Sequence, residues 1–162
     1  MNTGSPSTIK YIPLIASKFP ELKIVIDHIA KPFQIDFSSW AAEMTEAAKY
    51  GNVYCKLSGL NDEVNFYDVE ALRPYVEHCI GRQETRDIVL ISIELSTRNF
   101  AAKFGPSRCM FGSDWPVCKK SHPEDAYKVQ ISLVKELTKH LTQEERNMIF
   151  YQTAVDFYGL KI

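Results

Sequence analysis

No apolar run in this chain approaches the roughly 20 residues that a bilayer-spanning helix needs. Membrane contact is therefore not expected. Charge of one sign is also scarce. Nineteen Lys and Arg stand against 20 Asp and Glu, for a net charge of −1, so no electrostatic argument points to nucleic acid or an anionic lipid surface. The four cysteines, Cys55, Cys79, Cys109 and Cys118, form no Cys-x-x-Cys pair and no Cys/His zinc spacing. They read as free thiols of a reducing compartment, and a cytoplasmic location is expected. Internal repeats and low-complexity tracts are missing. Residues 1–8 are polar, without the apolar centre of a secretory signal, and are expected to be unstructured.

What remains is 162 residues with 45% apolar content, enough for one domain with a real core. Helical spacing of Ile9, Ile12, Ile15, Ala16 and Phe19 predicts a first helix, with Pro13 tolerated near its start. Leu22 to Ile26 is a β-branched run that reads as a buried strand, ending in Asp27-His28. Ser38 or Ser39 is the expected cap of a helix from Trp40 to Tyr50, closed by Gly51, with Trp40 in the core. Residues 52–57 form a second strand running into Ser58-Gly59. Asp68 caps a helix through Ile80 that Pro74 should bend, and Cys109 to Phe111 is a third strand. A helix from Pro123 to about His140 follows, buried through Val129, Leu133, Val134 and Leu137. Thr142-x-x-Glu145 is a capping box for a last helix whose Ile149, Phe150, Ala154, Phe157 and Tyr158 face the core, with Gly159 as its stop. Alternation of this kind predicts an α/β fold with a parallel sheet.

Chemistry gathers where the strands stop. The stretch Arg108 to Cys118 reads as a short buried strand halted by Gly112, Ser113, Asp114 and Pro116. Strand C-termini face the ligand side of parallel α/β folds. Asp114 is thus either a general base or metal ligand, or only a cap for the following turn. His28 stands at an equivalent strand end, whereas Asp27 points to the opposite face and reads as structural. Lys31, Lys56 and Ser58 lie near the same side. A lysine there binds a substrate carboxylate, or is solvated or salt-bridged. Trp115 either walls the pocket or packs. His78, His122 and His140 read as surface residues.

The phrases FPELKIVIDHIAKP (19–32), NVYCKLSGL (52–60), FGPSRCMFGSDWPVC (104–118) and LTQEERNMIFYQTAVDFYGL (141–160) resemble the amidohydrolase-related family 2, which includes sugar-lactone hydrolases and related decarboxylases. The resemblance implies a partial (β/α)₈ barrel in which residues 9–162 supply strands six to eight with their helices, not closed. The family's His-x-His pair of the first strand has no counterpart. The likeness departs again at residues 81–103, an insertion of unusual length. It reads either as an added edge strand or as a segment without a stable partner, and the flanks join well without it.

By resemblance, Asp114 activates a water that opens a lactone to a hydroxy acid, and His28 polarises the carbonyl or binds substrate. Lys31, Lys56, Ser58 and Trp115 are the candidate substrate contacts, and the substrate is a small sugar lactone or similar molecule. Full-length relatives imply a divalent metal such as zinc, with His28 and Asp114 as the available ligands. Without the His-x-His strand this chain is expected to bind metal weakly or not at all. Two alternatives accompany the hydrolase: a catalytically inactive barrel fragment acting as a binding partner, and a decarboxylase. Open sheet edges further suggest a homo-oligomer.

Overall fold

The computed structural model describes residues 6–60, 68–81, 103–120 and 124–161. Its centre is a three-stranded parallel sheet in the order β1 (Ile24–Ile26), β2 (Val53–Leu57), β3 (Cys109–Phe111). Register sets Ile26 beside Cys55 and Cys55 beside Cys109. Among the described residues the sheet is open at both edges, the feature on which the expected self-association rests.

Alternation along β2 sends its side chains to two covered faces. Cys55 reaches Cys79, with sulfurs 3.9 Å apart, on the side of α3 (Phe37–Ala48) and α4 (Val69–Ile80). Tyr54 meets Phe157 and Lys56 lies over Tyr158 on the other, where α7 (Thr153–Tyr158) packs. The four cysteines are free and buried. Burial pushes the Cys55 and Cys109 thiols well above the ordinary value, which makes them inert packing groups.

Helix ends follow local chemistry, with some shifts from expectation. Residues 6–8, expected to be unstructured, instead belong to a short helix α1 (Pro6–Ile9), and the expected first helix is reduced to α2 (Ile12–Lys18). Phe19 is exposed, because the chain has already left the helix there. Asp36, rather than Ser38 or Ser39, caps α3. Its extended backbone lets Oδ1 accept from the Ser39 amide at 2.9 Å. Trp40 is fully buried as expected and donates from Nε1 to the Ile29 carbonyl at 2.8 Å. Asp68 caps α4 through the Glu70 and Ala71 amides, and left-handed Gly81 closes it.

The helix expected from Pro123 is shorter, α5 (Ala126–Leu137), and buries Gln130 beside Leu133, Val134 and Leu137. Val129 is only half-buried. Pro123 and His122 lie outside the described residues. The Thr142/Glu145 capping box is present and opens α6 (Gln143–Asn147). A π turn over Met148–Gln152 joins α6 to α7 and rotates the stripe, leaving Tyr158 exposed. Residues 82–102, where an edge strand or unpartnered insertion was expected, also lie outside the description. Their flanks meet: the Phe104 and Gly105 amides both donate to the Cys79 carbonyl, and Lys103 lies against Gly81.

His78 and His140 are not surface residues as expected; both are partly buried. His78 sits among Phe37, Trp40 and Lys103. Its Nε2 donates to the Ala41 carbonyl at 3.0 Å and its Nδ1 accepts from the Lys103 ammonium at 2.8 Å. Burial first, then the Lys103 charge, lowers its pKa from 6.5 to about 4, against the opposing bond to Ala41. A depressed base must bind its proton on unfolding. Its contribution is therefore complete above pH 6.5 and is lost as pH falls towards 4. At about 1.4 kcal/mol per unit, and with the ring partly exposed, the loss should be about 2–3 kcal/mol. Urea titrations at pH 7 and pH 4 will show it as a fall in stability that His78→Gln, which keeps a donor and an acceptor but cannot titrate, removes in large part. An unchanged pH dependence in His78→Gln would refute the assignment.

Candidate active site

The loop after β1 builds one half of the site. His28, Ile29, Ala30 and Lys31 all have positive φ, at 56°, 42°, 59° and 52°. Four consecutive left-handed residues, none glycine, form a strained turn at a cost of roughly 1–2 kcal/mol each. Such a turn persists only where its surroundings over-determine it. Here Ile29 and Ala30 are fully buried, Pro32 is buried behind them, and the Trp40 indole holds the Ile29 carbonyl. The Lys31 amide closes the turn on the His28 carbonyl at 2.8 Å. The outcome is a histidine carried off the strand end towards Ser58, the residue that follows β2.

The loop after β3 builds the other half. Asp114 also has positive φ, 55°, and its carbonyl accepts from the Cys118 amide at 2.9 Å. The Trp115–Pro116 peptide is cis. Asp114 Oδ1 faces His28 Nε2 across 3.6 Å, and both side chains keep partial exposure, 12% and 22%. On the far side of the imidazole, Nδ1 is 2.9 Å from Ser58 Oγ. Ser58 is buried, 2% exposed. A β-carbon on left-handed Gly59 would lie 2.6 Å from His28 Nδ1, and one on Gly112 would lie 2.9 Å from Ser58 Cβ. Both glycines are therefore required by close approach.

The remaining expected residues are placed as follows. Lys56 pairs with Asp27 at 2.8 Å, which gives Asp27 a structural partner. Burial opposes the Lys56 charge, but the bonds with Asp27 and Tyr158 outweigh it and raise its pKa. Lys31 lies in the strained turn beside His28 and is half-buried. Trp115 is 67% exposed, next to Asp114. A groove between α4 and α5, lined by Val69, Val129 and Leu133, contains none of these residues. Sequence reasoning placed Ser58 at the ligand face; its bond to His28 has no signature in spacing, because it depends on the left-handed turn.

His28 and Asp114 are the two side chains here with metal-ligating atoms facing one gap. Among the described residues no group of three His, Cys, Asp or Glu is placed to hold an ion. No described helix is long and apolar enough to cross a membrane.

Comparison with known proteins supplies the context. The chain is 31% identical to the L-fucono-1,5-lactonase of Burkholderia ambifaria over 160 residues, which is 94% of this chain and 48% of that protein. It is 24% identical to the L-rhamnono-gamma-lactonase of Scheffersomyces stipitis, covering 47% of its length. The chain thus spans about half the length of the curated relatives it matches. A crystal structure of an amidohydrolase from Burkholderia multivorans with bound zinc superposes with a TM-score of 0.73 at 26% identity, over 97% of this chain and 51% of that one. Catalytic zinc takes three protein ligands. The two donors described in this chain fall short of that set. A strand-end histidine and carboxylate brought together by loops after parallel strands agree with the match of residues 2–85 and 94–160 to the amidohydrolase family model, and this chain belongs to that family.

Proposed function

We propose that this chain hydrolyses cyclic esters of sugar acids, with Asp114 as general base. The observation that carries the reading is the His28–Asp114 pair, 3.6 Å apart, partly exposed to solvent and brought together from two separate strand ends. The likeness to two sugar lactonases supports this substrate class.

Asp114 takes a proton from a water whose oxygen bonds to the lactone carbonyl carbon. The carbonyl oxygen becomes negative, and an N–H on His28 Nε2, beside the same gap, donates to it. The ring C–O bond then breaks, the ring oxygen takes the proton back from Asp114, and a hydroxy acid leaves. Lys31, three residues after His28, and Trp115, the residue after Asp114, are the candidates for substrate contact. Lys56 is engaged with Asp27 and is less available for that role.

The test is acid release at constant pH from L-fucono-1,5-lactone and L-rhamnono-gamma-lactone by purified chain that melts cooperatively. Expected is turnover above the spontaneous rate, with an acyclic ester of similar size turned over more slowly. A folded chain that leaves both lactones at their spontaneous rate would remove the proposal.

A further inference from the structure

Hydrolysis as proposed needs a hydrogen on His28 Nε2, and an imidazole can equally carry it on Nδ1. We infer that Ser58 is a positioning residue that fixes the tautomer of His28, placing its proton on Nε2 towards Asp114. The inference rests on the site reading above for its catalytic meaning, but its geometry stands alone.

Three observations point the same way. Ser58 Oγ is buried, and among the described residues its recorded hydrogen-bond partner is His28 Nδ1 at 2.9 Å. If Nδ1 carried the proton, the serine would accept, and its own buried hydroxyl hydrogen would have no acceptor among the described residues. If Nδ1 is bare, the hydroxyl donates and is satisfied. On the other side, Nε2 faces Asp114 Oδ1 at 3.6 Å. An N–H there meets a carboxylate favourably, whereas a lone pair would meet it with repulsion. The third observation is steric. Gly59 leaves no room for a β-carbon against Nδ1, and Gly112 leaves none against Ser58 Cβ. Both glycines let the serine and the ring approach to bonding distance while the left-handed turn holds the ring from behind.

The chemical consequence is a division of labour. With Nδ1 occupied by the serine and Nε2 protonated, His28 is a donor and Asp114 is the base.

Imidazole nitrogen-15 spectra of the full chain at mildly alkaline pH read the tautomer directly and need no turnover. Expected for the wild type is a dominant Nε2–H form. Ser58→Ala should reduce the Nε2–H to Nδ1–H ratio about fivefold to tenfold, the worth of one hydrogen bond. Gly112→Ala, which moves the serine without altering either partner, should reproduce the shift. A wild-type ring that is mainly Nδ1–H overturns the inference whatever the variants do. So does a tautomer ratio unchanged in a folded Ser58→Ala. Loss of the lactonase reading with the tautomer as expected would sink the function and leave this device standing.

Discussion

Asp114→Asn should lower kcat for lactone opening by about 10²–10⁴-fold, the range of a general base, with KM nearly unchanged. Asparagine keeps the size and shape of the side chain and removes its capacity to take a proton. It also tolerates the left-handed backbone at this position better than most residues, so φ of 55° is no obstacle to folding. The hydrogen bond from the Cys118 amide goes to the Asp114 main-chain carbonyl and survives the change. The readings available from sequence, a base or metal ligand on one side and a turn cap on the other, therefore separate cleanly. A cap would be replaced by asparagine almost without effect. A base cannot be replaced. Initial rates over a range of lactone concentrations, with a thermal melt on the same preparation, decide it. A folded Asp114→Asn at wild-type kcat would return Asp114 to the role of a turn residue.

The parts of this fold legible in the sequence are those governed by local rules. Leu22 to Ile26, residues 52–57 and Cys109 to Phe111 read as strands, and all three exist, the first shortened to Ile24–Ile26 because exposed Leu22 stays outside it. The Thr142/Glu145 box and the Asp68 cap are encoded within four residues, and both are made. Periodicity fails where a helix changes pitch. The π turn over Met148–Gln152 slips the stripe, which is why Tyr158 emerges exposed although Ile149 is buried. It also says little about long-range polar pairing. His78 has no signal in its own helix, because its partners come from α3 and from Lys103.

The candidate site divides along the same line. His28 and Asp114 could be singled out because polar residues at the ends of parallel strands share one side of the sheet. The turn that aims His28 could not. Ile29, Ala30 and Lys31 carry no mark of left-handed backbone, and glycine, the usual mark, is absent from all four positions. Tertiary burial of Ile29 and the indole bond from Trp40 impose that conformation. The role of Ser58 follows from the same turn, and it becomes visible only with the fold.

Arg108 carries the largest stability effect expected of a single side chain here. It lies at the foot of β3 and donates to five main-chain carbonyls: Nη1 to Tyr50 at 2.7 Å and Val53 at 3.0 Å, Nη2 to Ala48 at 3.0 Å and Lys103 at 2.9 Å, and Nε to Phe104 at 3.2 Å. Three separate segments are thereby clamped: the C-terminal end of α3, the entrance to β2, and the chain arriving at β3. The guanidinium also stacks over the Phe104 ring at 5.5 Å. Its charge complements the negative end of α3, where Ala48 and Tyr50 present carbonyls. Bonds from a charged donor are worth more than neutral ones, but five on one group do not add. Arg108→Met, similar in length and apolar, should cost about 3–4 kcal/mol, near the upper end for single substitutions. Arg108→Lys should recover only part of this, since an ammonium is a point donor and cannot reach in five directions from one plane. Because the clamp fixes β3 against β2, it also fixes Asp114 against His28 and Ser58. Arg108→Lys should accordingly weaken the Nε2–H preference of His28 at temperatures where the chain is still folded. Urea midpoints for the two variants measure the first effect and imidazole nitrogen shifts the second. A loss below about 0.5 kcal/mol in Arg108→Met would mean that water satisfies those carbonyls as well as the guanidinium does.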